Sequence, residues 1–285
     1  MDSRVAIIIP IHNSLEVTKK GISAIKRSLI SERKNTSLIY KFNIIVVDDG
    51  STDRSSEWIS ANHPDIHLLQ GDGNLWWSGA VNMGAKYALK ILNSDFLLIL
   101  NPDNVPQEDY FSKLEIILNE NTKSIIGSKV LDIHTKKVWS KLKTFNKYTG
   151  ISKNAGLKNN KSYKWVTGMG VIVPAIIVEK IGYWDAVNFP QYFGDTDFCL
   201  RASKAKFDVN CNDELVIFNR TEYSSYIGKD LKSFIRSLNK NNIGSRYNLV
   251  KRFKFYNKNC ITPLWIITYL LYYLKYAYET FIMKK

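Results

Sequence analysis

A chain of 285 residues with 45% hydrophobic content can bury a full core, which excludes a disordered or low-complexity protein. Forty Lys and Arg against 26 Asp and Glu leave a net charge of +14, so an acidic partner is expected: nucleic acid, an anionic membrane surface or a phosphorylated ligand. Three cysteines, Cys199, Cys211 and Cys260, lack C-x-x-C spacing, which argues against a disulfide framework or zinc knuckle and for free thiols in a reducing compartment. Met-Asp-Ser-Arg leads directly into the first apolar run without the pattern of a targeting segment, so the expected location is the cytoplasm.

Val5 to Ile9 is an apolar run broken by Pro10 and followed by Ile11-His12-Asn13, a strand with a polar tip. Apolar positions Leu15, Val17, Ile22, Ile25 and Leu29 predict a helix over 14–30 capped by Asn13 or Ser14. Ile44 to Asp48 predicts a buried strand, and its end, Asp48-Asp49-Gly50-Ser51-Thr52-Asp53, packs carboxylates and hydroxyls beyond the sheet. A helix near Asp53, a strand at 67–69, a helix over 78–92 and a strand at 96–100 follow. That last run ends in Asn101-Pro102-Asp103-Asn104. Strand and helix alternating in this way predict a parallel sheet covered on both faces, with its polar ends along one rim.

The second half predicts a strand at 124–130, an irregular Lys- and Asn-rich stretch over 141–164, of which 146–164 is read as a mobile loop or lid, one alternating strand from Trp165 to Val173, and a helix at 176–181. An aromatic and acidic segment over 183–201 contains Gly194-Asp195-Thr196-Asp197, ahead of a helix from Thr196 to Ala205. From Asp230 the chain turns basic, then apolar and aromatic from Thr262 to Leu274. That run is shorter than the roughly 20 residues of a spanning helix. It predicts an in-plane interfacial helix on an anionic membrane, with packing on the domain or on a second copy, a homo-oligomer, as the alternative.

Four polar clusters at element ends therefore meet the question of function. A lone Asp at such a place is ordinarily a helix cap or turn former; four clusters together argue for a site. The turn after the first strand reads Pro-Ile-His-Asn-Ser, without the glycines of a dinucleotide fingerprint, and no phosphate-binding G-x-x-x-x-G-K-[ST] loop occurs. Carboxylates along the rim would repel phosphate backbones, so nucleic acid is not the expected partner.

In order, IIIPIHN, IIVVDDGSTD, GDGNLWWSGAVNMGAKYAL, FLLILNPDN and WVTGMGVIVP with YFGDTDFCLRA resemble the family 2 glycosyltransferases, in particular the rhamnosyltransferase-like branch that builds bacterial surface polysaccharides such as O-antigen. The resemblance spans roughly residues 4 to 225. It implies an α/β protein of the GT-A fold, a nucleotide-binding, mostly parallel sheet flanked by helices, to which the basic and aromatic C-terminal residues, outside the resemblance, add a helical, membrane-associating appendage. Its expected boundaries are 1–228 for the transferase domain, with a donor half about 1–124 and an acceptor half about 125–228, and 229–285 for the basic, aromatic helical region.

The resemblance further implies an inverting transfer from a nucleotide-sugar donor, dTDP- or UDP-activated, to a lipid-linked or polysaccharide acceptor at the inner face of the membrane. Asp49, beside Asp48, matches the aspartate that reads the base, and Pro10, His12 and Asn13 match the loop lining it. Asp103 matches the retained carboxylate of the metal motif, for Mg²⁺ or Mn²⁺, and Asp195 matches the general base. Asn74, Trp77 and Asn82 are assigned to the donor side; Trp165, Gly168 and Asp197 to the acceptor side. Asn101 replaces the first acid of the metal motif and no histidine stands at 216–222, which implies loose metal binding with Arg220 acting on the diphosphate. The same depletion supports an alternative, a catalytically weak nucleotide-sugar-binding subunit of an assembly complex.

Overall fold

The computed structural model of the chain describes residues 3–35, 38–120, 123–155, 161–220 and 230–282. Its first strand, β1 (Arg4–Ile11), is apolar on both faces: Val5, Ile7, Ile9 and Ile11 enter one core, Ala6 and Ile8 the other. Parallel neighbours β2 (Lys41–Asp48) and β4 (Phe96–Ile99) flank it, and β3 (His67–Gln70) extends β2. Antiparallel β11 (Val171–Pro174) then joins β4 to β6 (Ile125–Asp132), and β12 (Val209–Asn219) and β5 (Val105–Pro106) complete the row, with β7 (Val138–Ser140) on β6. The nine-stranded sheet is thus mixed: β3-β2-β1-β4 run parallel, β11 is antiparallel to both its neighbours, and β12 runs parallel to β6.

Helices α1 (Leu15–Asn35), α2 (Ser55–Asn62) and α4 (Tyr110–Glu120) cover one face through Ile22, Ile25, Ile59, Phe111 and Leu114. The other face carries α3 (Trp76–Lys90), α5 (Ala175–Ile181) and α6 (Gly194–Lys204) through Ala80, Ala85, Ile177 and Phe198. Helix α3 starts two residues before its expected position, so Trp76 and Trp77 form its first turn.

Two expectations change. Trp165 to Val173 is two strands: β10 (Ser162–Trp165) pairs elsewhere, and Gly170 at φ 70° breaks the run before β11, a left-handed value that extended pairing does not accept. The aperiodic stretch over 141–164 holds β8 (Lys143–Asn146), and its part read as a loop or lid holds β9 (Ser152–Asn154); with β10 these form an antiparallel sheet in the order β10-β8-β9, and residues 156–160 lie outside the described part. Only Phe145 of these strands is fully buried, so no apolar alternation announces them.

The C-terminal region forms α7 (Leu231–Leu238), α8 (Leu249–Asn259) and α9 (Trp265–Phe281). Phe255, Tyr256 and Trp265 join Phe145, Phe189 and Leu200 in a third core cluster, which docks α8 and α9 onto α6 and the small sheet. Beneath this contact lies a buried charge cluster. Asp197, with no exposed surface, accepts from Arg201 Nε at 2.9 Å and Asn259 Nδ2 at 3.1 Å and pairs with Lys258 Nζ at 2.9 Å. Lys258 also reaches Asp185 at 2.7 Å.

Removing Asp197 takes the carboxylate partner from Arg201 and leaves Lys258 with Asp185 alone, so Asp197→Ala is expected to lower the unfolding free energy by about 3 kcal/mol, read from denaturant midpoints; a loss below about 1 kcal/mol would contradict the cluster's role. Asp185 gives a pH signature. Burial alone would raise its pKa, but Lys258 and Asn188 outweigh burial and bring it down to about 2. Stability from this pair is therefore present above the ordinary carboxylate range and lost as pH falls toward 2. An acid titration of wild type is expected to show a stability loss there that Asp185→Asn lacks.

Candidate active site

The polar tips of β1 and β2 are stitched together before any ligand is considered. Asn13, at φ 46°, donates its N–H to Ser51 Oγ at 2.9 Å and accepts from Thr52 N at 2.8 Å. His12 Nδ1 lies 2.6 Å from the Asp49 carbonyl and Nε2 3.0 Å from Asn13 Nδ2. A carbonyl only accepts and an amide nitrogen only donates, so the ring is the neutral Nδ1–H tautomer. Leu15 N–H donates to Asp53 at 2.8 Å, tying the start of α1 to the same turn.

The two adjacent aspartates diverge. Asp48 accepts from Ser51 N–H and from the Ser56 hydroxyl and turns toward α2; it does not line the cleft. Asp49 does, and its carboxylate accepts three backbone N–H groups: Gly73 at 2.9 Å and Leu75 at 3.1 Å on Oδ1, Trp76 at 2.8 Å on Oδ2. It thus supplies an anion at the positive end of α3. The next donors are met as well, Trp77 N–H by Gln191 Oε1 at 3.3 Å and Ser78 N–H by the Pro190 carbonyl at 2.7 Å. One lone-pair site on Asp49 Oδ2 is left by this arrangement.

The fixed first turn of α3 aims Trp77 across the cleft. Its Nε1–H donates to Asn101 Oδ1 at 3.0 Å, and the Cζ2 and Cη2 atoms of its ring lie against Gly168, where a Cβ would collide with them. Gly168 N–H in turn donates to Asp195 Oδ2 at 3.1 Å, and Thr196 N–H to Asp195 Oδ1 at 2.7 Å. Burial raises the pKa of Asp195 above the ordinary carboxylate value, against the opposing pull of these N–H groups and of Lys143. The tip after β4 is braced by Asn101 N–H donating to Asn104 Oδ1 at 2.9 Å. Burial lifts Asp103 to about 6, although its own backbone N–H and the charge of Arg220 act to lower it.

A cleft of about 710 Å³ is lined by Pro10, His12, Asn13, Asp49, Trp77 and Asp103 of the expected donor residues, whereas Asp195 and Gly168 stand behind its wall and do not line it. Gly73, Trp76, Asn101 and Gln191 also line it. Gln191, a lone polar residue in an aromatic segment, carries no signal in the sequence. Five assigned residues lie elsewhere, Asp48 with its bonds toward α2 among them. Asn74 is exposed and its N–H turns back to Asp72. Asn82 clasps Trp184, donating to its carbonyl at 2.8 Å and accepting from its N–H at 2.9 Å. Asp197, assigned to the acceptor side, is sealed in the charge cluster under α8 and has no surface to offer an acceptor. Trp165 sits on the small sheet, bonded through Nε1 to Ser152 and covered by Lys143 at 5.1 Å.

Comparison with known proteins agrees with this architecture. Residues 6–177 match the family model for glycosyl transferase family 2. A hexosyltransferase of low-salt glycan biosynthesis, Agl10 of Haloferax volcanii, is 27% identical over 246 residues, covering 82% of this chain and 78% of the relative. Among solved structures, residues 1–349 of S. aureus TarS in complex with UDP-GlcNAc superpose with a TM-score of 0.55 at 14% identity, over 90% of this chain and 74% of that one. GalNAc-T7 with UDP, GalNAc and Mn²⁺ gives a TM-score of 0.58 at 13% identity, over 95% of this chain and 58% of that one. The chain spans 44% of the longer S. aureus TarS structure. The mixed sheet, the rim cleft and the matching family model lead to one conclusion: this chain belongs to glycosyl transferase family 2 and is a glycosyltransferase of GT-A architecture.

Proposed function

We propose that the protein transfers a hexose, with rhamnose favoured by its motif pattern, from a dTDP- or UDP-activated donor to a lipid-linked or polysaccharide acceptor of a surface glycan, with inversion, at the inner face of the membrane. The observation that carries this reading is the Asp195–Gly168–Trp77 stack: a carboxylate of raised pKa stands directly behind the aromatic wall of the cleft. On this reading the donor base lies against Pro10, His12 and Asn13, with the remaining lone pair of Asp49 Oδ2 accepting an imide N–H. The acceptor hydroxyl loses its proton to Asp195 Oδ while its oxygen forms the bond to the anomeric carbon, and the bond to the diphosphate oxygen breaks on the opposite face. The nucleoside diphosphate leaves with the electron pair. A raised pKa suits this role, because proton transfer is most effective when the base titrates near the working pH.

A divalent ion fits the cleft on one ligand. Asp103 is a carboxylate that burial disfavours as an anion, and Mg²⁺ or Mn²⁺ is ordinarily held by one or two carboxylates plus substrate phosphates. Asn101 is not counted among the ligands, since its Oδ1 accepts from Trp77. Among the described residues no group of three His, Cys, Asp or Glu gathers, so ion binding depends on the donor's diphosphate. When bound, the ion offsets the charge that develops on the leaving diphosphate.

Asp195→Asn is expected to lower nucleoside diphosphate release by about 10²–10⁴-fold with donor affinity unchanged in calorimetry; full activity in that variant would contradict the assignment. Asp103→Ala is expected to abolish the gain in donor affinity on adding Mn²⁺ without affecting metal-free binding. Trp77→Phe loses both the bond to Asn101 and the benzo edge that lies against Gly168, so turnover is expected to fall by at least about five- to tenfold, the worth of one hydrogen bond.

A further inference from the structure

Helix α9 is turned inside out. Its inner face carries the aromatic residues with their polar atoms engaged: Tyr269 OH donates to the Leu249 carbonyl at 3.3 Å, Tyr273 OH to the Tyr247 carbonyl at 3.0 Å, and Tyr276 OH meets Ser237 Oγ at 2.9 Å. Its outer face carries the aliphatic residues. Ile267, Leu270, Leu271 and Leu274 are 59, 56, 59 and 65% exposed, and their i, i+3, i+4, i+7 spacing sets them in one stripe. A helix that only packed on its own protein would bury these and expose the hydroxyls. Helix α7 continues the surface, since Phe234 stacks on Tyr276 at 4.9 Å while Leu231 and Ile235 point outward.

Charge identifies what covers this face. Residues 230–282 contain nine Lys and Arg against two Asp and Glu; of these, Lys232, Arg236 and Lys275 are exposed on α7 and α9, Lys275 within 3.6 Å of Glu279. A second copy would bring a like surface and the same net +14 against it. An anionic bilayer offers both an apolar layer and opposite charge. No helix of the described residues is long and apolar enough to cross a membrane, so the contact lies in the interfacial plane.

We propose that α7 and α9 form a docking face for an anionic lipid bilayer, with Ile267, Leu270, Leu271 and Leu274 entering the acyl boundary and Arg236 and Lys275 meeting lipid headgroups. This deepens the membrane location proposed above and rests on that part of the reading; the transfer chemistry has no share in it. Because α8 joins α9 to α6 through the third core cluster and the Asp197 charge cluster, docking fixes the orientation of the helix that carries Asp195.

Sedimentation of the full chain with phosphatidylcholine vesicles, with and without phosphatidylglycerol, tests this. The chain is expected to pellet with phosphatidylglycerol vesicles and to release at high salt. Leu270→Asn with Leu274→Asn is expected to weaken that partition by more than about tenfold, and Arg236→Gln with Lys275→Gln to remove its dependence on phosphatidylglycerol. Wild type that stays in the supernatant at low salt, or leucine variants that pellet like wild type, would overturn the proposal. So would a lipid-free dimer in light scattering that the leucine variants split, since the face would then belong to a second copy. Nucleoside diphosphate release from a soluble donor, measured in parallel, separates the two readings: vesicle binding without turnover sinks the transferase proposal and leaves the docking face, and turnover without vesicle binding does the reverse.

Discussion

The site depends on one carboxylate that accepts three backbone N–H groups. Asp49 closes the turn from Gly73 to Trp76 and holds the positive end of α3. Hydrogen bonds from backbone N–H to an anion are about twice as strong as neutral ones, and three of them fix where α3 begins. The helix start fixes Trp77, and Trp77 fixes both neighbours. The most conspicuous acid in the chain thus builds the cleft as well as lining it.

From that anchor the rest of the site follows by contact. Trp77 spans from Asn101, at the end of β4, to Gly168, whose N–H orients Asp195 on α6. Ser78 fastens the first turn of α3 to the 189–190 segment just ahead of α6, its hydroxyl donating to the Phe189 carbonyl at 2.6 Å. The starts of α3 and α6 are therefore held as one unit. The charge cluster around Asp197 extends this unit to α8, and through Trp265 to the outward-facing α9. Side chains that touch neither donor nor acceptor thereby connect the cleft to the far surface.

The parallel half of the fold is legible in the sequence because its strands are buried on both faces and read as continuous β-branched runs, as in Ile44 to Val47. The small sheet is not, because a polar strand with a single buried Phe145 has no period to detect. Adjacent acids show the limit most clearly. Asp48 and Asp49 differ by one position at the end of a strand, and that single step sends one toward α2 and the other into the cleft. Asp195 and Asp197 repeat the lesson on a helix: two positions is about 200° of rotation, enough to set one behind Gly168 and the other inside the ion cluster. Asn82 and Gln191 exchange roles for a related reason. Hydrogen bonds of more than 100 residues' separation decide them, and local pattern does not encode such partners.

The most direct measurement is the pH dependence of kcat/KM for nucleoside diphosphate release in wild type and Asp195→Asn. A base must be ionised to act, and burial raises this one; measured without divalent ion, so that the titration of Asp103 does not enter through the metal, the account predicts an acid limb above the ordinary carboxylate pKa of about 3.9 in wild type, absent from the residual rate of the variant. A limb that persists unchanged in Asp195→Asn, or a wild-type rate that stays flat down to that pH, contradicts it.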